Sequence, residues 1–191
     1  EKEFYHCFAS SEHGNIFDFV MKTQNLRFGE AVKYLANLAG MQPYMFSKKD
    51  EEREKKWKEY SSIFNRYIEF YHNELLKNEI HLNVRNYLKN RSLNKDDVKK
   101  FKLGYVEKNP IFFNELKNDF SLEALENTGL FYFDEKKKIH VERFRGRLIF
   151  PINNISGQPI ALGGRIVEKS DYLAKYINSP ETNFFKKGSN L

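Results

Sequence analysis

The chain has 191 residues, a net charge of +6 and 40% hydrophobic residues, with 18 Phe and 11 Tyr, which suffices for an ordinary core and excludes wholesale disorder. Its longest apolar runs, such as Leu148 to Ile152, fall far short of the ~20 residues of a membrane span, and no signal-peptide pattern opens it, so a cytoplasmic location without a membrane partner is expected. The single Cys7 excludes an internal disulfide and, by itself, a thiolate-rich metal site.

Residues 1 to 14 read as a strand and a turn. Asn15 is placed as the N-cap of a short amphipathic helix carrying Ile16, Phe17, Phe19, Val20 and Met21. A second helix is predicted from Phe28 to Leu38, with Ala31, Val32, Leu35 and Leu38 on one face and Gly40 beyond its end. The segment Met41 to Ser47, with Pro43, is a break. A long helix from Lys48 to about Leu76 follows, charged in its opening half and apolar at Trp57, Tyr60, Ile63, Phe64, Tyr67, Ile68 and Tyr71. Shorter helices are expected at Leu82 to Lys89, Asn94 to Phe101, Ile111 to Asp119 and Leu122 to Asn127.

After Gly129 the texture changes. Phe131 to Phe133, Ile139 to Val141, Leu148 to Asn153 and Pro159 to Ile166 read as strands, with Asn153 to Gly157 as a hairpin connection. Pro151 inside one run marks an edge strand or a bulge. The expected class is α+β: a helical N-terminal two-thirds followed by a small mixed β-sheet subdomain. The predicted division is 1–40, a charged linker and helix start at 41–59, and a main unit at 60–191.

Charge is unevenly placed. From Lys136 to Leu191 eleven Lys and Arg face four acids, a local balance of +7 that leaves −1 for the first 135 residues. A concentrated basic patch is the footprint of a nucleic-acid surface. Arg143, Arg145 and Arg147 stand two apart before an apolar run. On a strand they would share one face, spaced at roughly twice the ~3.3 Å rise and close to phosphate pitch. Arg145, Arg147 and Arg165 are candidates for forked phosphate contacts, Lys175 and Lys187 for point charges, Tyr176 for a stacking platform and Asn178 for a positioning amide.

Several segments together carry a family resemblance. Phe4 to Phe8, His13 to Val20, Tyr87-Leu88-Lys89-Asn90-Arg91-Ser92-Leu93, Phe101 to Tyr105, Arg143 to Arg147, Gly163-Gly164-Arg165, Lys175 to Thr182 and Phe185 to Gly188 resemble bacterial replicative DNA primases of the DnaG type, in order and over nearly the whole chain. The resemblance implies the end of a zinc-ribbon domain in 1–40 and the N-terminal subdomain of an RNA polymerase core in 60–191. It implies primer synthesis on a single-stranded DNA template from ribonucleoside triphosphates, with an RNA primer as product and the replicative helicase as partner through a C-terminal region. It assigns Arg91, Arg145, Arg147, Arg165, Lys175, Tyr176 and Lys187 to a basic groove where template, primer and nucleotide meet.

The resemblance also implies two incomplete sites. Cys7 matches a zinc ligand of the ribbon, but the next ligand position is Ser10, and a hydroxyl is a poor substitute for a thiolate. His6 and His13 could serve in the intact protein, or all three could be ordinary packing and surface residues. The carboxylates that hold catalytic Mg or Mn belong to the TOPRIM segment after the Lys-Gly motif, so this stretch alone is expected to be inactive. The rival readings are a non-catalytic single-strand-binding module and a protein-interaction scaffold with an incidental basic patch.

Overall fold

A computed structural model describes residues 4–41, 47–168 and 170–190. It divides into two compact units, Glu1–Lys56 with Asn154–Gln158, and Trp57–Asn153 with Pro159–Leu191. In the first, β1 (Tyr5–His6) and β2 (His13–Gly14) pair antiparallel. Then come α1 (Ile16–Thr23) and α2 (Phe28–Leu38). Asn15 caps α1 as the sequence predicts: its side-chain oxygen accepts from the N–H groups of Phe17 and Asp18, and Asp18 accepts from the Asn15 N–H at 2.9 Å. α2 ends with Gly40 at φ +64°, Gly40 N–H donating to the Asn37 carbonyl and Met41 N–H to that of Ala36, a left-handed stop that glycine adopts without strain. Of the predicted break at Met41 to Ser47, residues 42–46 lie outside the described residues.

The long predicted helix is α3 (Lys48–Lys77), opened by a reciprocal pair between Ser47 and Asp50. Its charged start is helical from Lys48 as expected, and from Tyr60 one stripe is buried: Tyr60, Ile63, Phe64, Tyr67, Ile68, Tyr71 and Leu75 recur at three- and four-residue spacing. A 3-10 turn at Glu79–His81 leads to α4 (Leu82–Lys89) and α5 (Lys95–Lys100). β3 (Gly104–Val106), α6 (Phe112–Leu116), α7 (Leu122–Asn127), β4 (Phe131–Asp134) and β5 (Ile139–Glu142) follow. The chain closes with β6 (Arg147–Asn153), β7 (Pro159–Ile166), β8 (Tyr176–Asn178) and α8 (Lys187–Asn190).

The α+β class and the order of helices before sheet agree with the sequence; the described strand pairs are all antiparallel. The main sheet has the order β3-β6-β7-β8, and β4-β5 form a separate ribbon. β3 and β8 were not expected as strands. β6 explains its proline: β3 pairs with it only as far as Gly104 opposite Ile149, so Pro151 has β7 alone beside it, and the β6–β7 register shifts between Ile152 and Asn153.

Both sheet faces are covered. On one, Val106, Ile149 and Leu162 join the α3 stripe from Tyr60 to Tyr71, with Phe112, Leu125, Phe131 and Phe144, in a single apolar cluster. Gly104 permits this approach, since a Cβ there would stand 3.0 Å from the α3 backbone at Tyr71 and His72. Glu142 is buried beside this cluster, accepting from Tyr71 Oη at 2.7 Å and from Phe113 N–H at 3.0 Å. Burial pushes its carboxyl pKa up against the opposing effect of these bonds. On the other face, Tyr105 and Leu148 meet Leu75, Val84, Leu88, Val98 and Leu103 under α4 and α5.

Candidate nucleic-acid interface

Cross-strand register decides which side chains share a face. Tyr105, Leu148, Arg165 and Tyr176 stand opposite one another across β3, β6, β7 and β8, so they project together on the α4 side of the sheet. Asn178, two residues past Tyr176, shares that face. The apolar cover ends at Leu148, and Arg165 emerges beside Tyr87 of α4. A recess of about 380 Å³ opens there, lined by Tyr87, Arg91, Arg165 and Lys175 with Val167, Glu168, Ser170, Asp171 and Leu173.

The cations of this recess are held by rings. The Arg165 guanidinium carbon lies 5.4 Å from the Tyr87 ring centroid and 5.1 Å from that of Tyr176. That of Arg91 lies 5.6 Å from Tyr87, and Lys175 Nζ 5.8 Å from Tyr176. Each contact is within reach of a cation–π attraction. Among the described residues none of the three cations forms an ion pair. Arg165 Nε and Tyr87 Oη are buried atoms without a hydrogen-bond partner. The recess sets three cations against the carboxylates of Glu168 and Asp171 and leaves the guanidinium groups unpaired, which suits an oxyanion such as phosphate.

Arg145 lies in an adjoining recess of about 340 Å³, lined by Tyr105, Lys108, Arg145 and Gly146, that shares Ile166, Glu168, Ser170 and Leu173 with the first. Lys108 there pairs with Glu168 at 2.8 Å.

The predicted arginine row is not a strand. Residues 143–146 form the turn between β5 and β6, with Gly146 at φ +71° and its N–H on the Glu107 carbonyl at 3.1 Å. The turn buries Phe144, not an arginine face, and Phe144 is fully buried. Its Cδ1 would stand 2.5 Å from a Cβ at position 164, which is why the Gly163-Gly164 pair ends in glycine there. Arg143 donates from Nε to the Gly129 carbonyl at 2.7 Å and lies over Tyr132. Arg147 opposes Ile166 on the face away from Arg165, is 5% exposed, and donates from Nη1 to the Ala174 carbonyl at 2.9 Å. Burial pulls its pKa down.

Of the sequence candidates, the structure therefore gathers Arg91, Arg165, Lys175 and Tyr176 at one recess, puts Asn178 on the same sheet face and Arg145 next door. Lys187 is an exposed residue opening α8, its backbone N–H on Glu181 Oε1 at 3.1 Å, and lines neither recess. Tyr87 and Lys108 line the recesses without having been candidates. Tyr87 lies inside a motif quoted above, where only Arg91 was taken as a candidate.

In the first unit, Cys7 precedes a turn whose Ser10 hydroxyl and Ser10 and Ala9 N–H groups favour the thiolate and hold the thiol pKa below its ordinary value. His6 and His13 are cross-strand partners with rings stacked 6.3 Å apart. Among the described residues no three His, Cys, Asp or Glu side chains stand together as a metal site. One thiol with a hydroxyl at the next ligand position does not fit the four-donor demand of structural zinc, and no role is assigned to the ion in this chain.

Comparison with known proteins bears on the same segments. Residues 1–52 match the family model described as the CHC2 zinc finger. The DNA primases of Clostridium acetobutylicum and Neisseria meningitidis are 35% and 36% identical over all of this chain, covering 31% and 32% of their own lengths. The chain thus spans about a third of the curated relatives it matches. Among solved structures, the Aquifex aeolicus primase with zinc-binding and RNA polymerase domains is 29% identical, with a TM-score of 0.61 over 98% of this chain and 44% of that one. The Mycobacterium tuberculosis primase RNA polymerase domain, solved with a double-stranded DNA oligomer bearing a 6-nucleotide overhang, is 27% identical, with a TM-score of 0.62 over 68% of this chain and 40% of that one. Residues 70–191, which contain the recess and more than half of the sequence, match the model of the DNA primase catalytic core, N-terminal domain, and to that family the chain belongs.

Proposed function

We propose that this chain is the template-handling part of a bacterial DNA primase, which makes short RNA primers from ribonucleoside triphosphates on single-stranded DNA for replication in the cytoplasm. The observation that carries the reading is the convergence of Arg91, Arg165 and Lys175 on one recess with no carboxylate paired to them among the described residues. Arg91 and Arg165 take phosphate oxygens through their guanidinium edges, Lys175 adds a point charge, and the half-exposed Tyr176 offers a ring to a base. Asn178 orients the strand along the same face, and Arg145 extends the positive path into the second recess. Arg147 acts from behind: its bond to Ala174 fixes the backbone immediately before Lys175. Lys187 serves the incoming nucleotide only through the longer protein.

In this reading residues 1–40 end a zinc-ribbon domain, 41–59 lead into the long helix, and 60–191 form the N-terminal subdomain of the polymerase core. Mg or Mn, the acids that bind it, and the region that meets the replicative helicase belong to other parts of the whole protein. No step of nucleotidyl transfer is assigned to the residues of this chain. The test is fluorescence anisotropy of labelled single-stranded DNA across a salt series with Arg165→Ala and Arg145→Ala. Binding that falls with salt and is weakened by both substitutions supports the reading. Unchanged affinity and salt slope in both variants would favour a scaffold whose basic patch is incidental.

A further inference from the structure

Three cations share the recess, and among the described residues neither of the carboxylates that also line it, Glu168 and Asp171, forms an ion pair with any of them. What joins them is an alternating series: Arg91 against Tyr87, Tyr87 against Arg165, Arg165 against Tyr176, and Tyr176 against Lys175. Tyr87 is the member that contacts both arginines. It reaches them from α4, while Arg165 comes from β7 and Arg91 from the turn after α4. A free arginine side chain has several rotatable bonds, and two guanidinium groups left to themselves would separate into solvent. An aromatic face, negative at its centre, attracts both without occupying the N–H edges that bind anions.

The hydroxyl of Tyr87 points to the same conclusion from the other side. It is buried and has no hydrogen-bond partner, so it contributes nothing visible to packing, and burying it unpaired is unfavourable. The ring body, by contrast, rests on the Val84 and Leu88 cluster. The feature of Tyr87 that the recess uses is its π face.

We propose that Tyr87 is a positioning residue of this site: its ring gathers Arg91 and Arg165 so that their free N–H edges meet one phosphate-bearing strand, without Tyr87 itself touching the ligand. The proposal rests on the reading of the recess as a phosphate site. It makes the aromatic ring, and not the hydroxyl, the determinant of anion affinity.

The experiment compares Tyr87→Leu, Tyr87→Phe, Arg91→Ala and Arg165→Ala in the same chain, using labelled oligo-dT for affinity and the ¹⁵N–¹H resonances of the arginine Nε–Hε groups for position. Tyr87→Leu keeps apolar bulk on the α4 cluster and removes the π face. The expected result is a loss of about tenfold in affinity for Tyr87→Leu, full rescue by Tyr87→Phe, and no further loss when Tyr87→Leu is added to the double arginine variant. The Arg91 Nε–Hε resonance, with Tyr87 as its ring contact, is expected to lose its ring-current displacement in Tyr87→Leu and keep it in Tyr87→Phe. Tyr87→Leu binding like the unaltered chain, while both arginine variants bind weakly, overturns the positioning role. Tyr87→Phe as weak as Tyr87→Leu overturns it too, because the hydroxyl would then be a ligand contact. Arginine variants that both bind normally overturn the reading of the recess itself, and the proposal with it.

Discussion

The two faces of the four-stranded sheet use the same residue type for opposite purposes. Arg147 and Arg165 sit on neighbouring strands one register step apart, Arg147 opposite Ile166 and Leu148 opposite Arg165. That single step sends one guanidinium into the covered face, where it holds the Ala174 carbonyl, and the other to the rim of the α4 face, where its edge is open. The difference teaches that strand parity decides which arginine of such a motif is engaged in holding backbone and which stays unpaired, and that charge alone does not say which is which.

The largest effect should come from the covered face. Phe144→Ala is expected to lose about 3–5 kcal/mol in urea unfolding, because a fully buried ring packed on Gly164 leaves a cavity. A loss below about 1 kcal/mol would mean the faces are less different than their packing indicates. Next comes the arginine pair itself. Arg147→Met is expected to lower stability by about 1–3 kcal/mol through the abandoned Ala174 carbonyl, leaving the salt slope of single-strand binding nearly intact. Arg165→Met should do the reverse, leaving the unfolding midpoint in place and reducing the slope by about 0.7. Both variants losing stability and neither changing the slope would erase the contrast.

A pH series sharpens it further. Burial raises the hydroxyl pKa of Tyr60 to about 12 and lifts those of Tyr67 and Tyr71 as well. A pKa raised in the folded state favours the neutral form, so this stability is fully present below the ordinary value of 10 and is lost as pH rises through about 12. Thermal midpoints should hold from neutrality to about pH 10 and then fall steeply. The smallest effect expected is that of Tyr60→Phe at neutral pH, about 1 kcal/mol from the bond its hydroxyl donates to the Ile160 carbonyl at 2.6 Å.

The sequence made the helices legible where one physical signal acted alone. The α3 stripe follows from spacing, and the starts at Asn15, Asn94 and Ser121 follow from side chains able to accept from free N–H groups. β3 left no trace because all three of its residues are buried, which removes the alternation that marks a strand. The turn at 143–146 was misread because arginines two apart imitate strand periodicity. Gly146 was the available counter-signal, since its φ of +71° is one that glycine reaches freely. Arg91, Arg165 and Lys175 were each named beforehand, yet their meeting depends on β7–β8 register and on α4 lying over the sheet, which no local pattern encodes. Tyr87 was hidden because it also packs with the core, and its ring face meets the cations only once α4 lies over the sheet.

Pro151 has a consequence for the molecule in concentrated solution. Beyond Ile149, β6 has β7 on one side and, among the described residues, no strand on the other. Such an edge is where a second copy can add a strand and begin an aggregate. A proline brings no N–H to that edge, and the register shift after Ile152 breaks its regularity. The residue that lets the sheet stop growing inside the molecule thus also discourages it from growing between molecules.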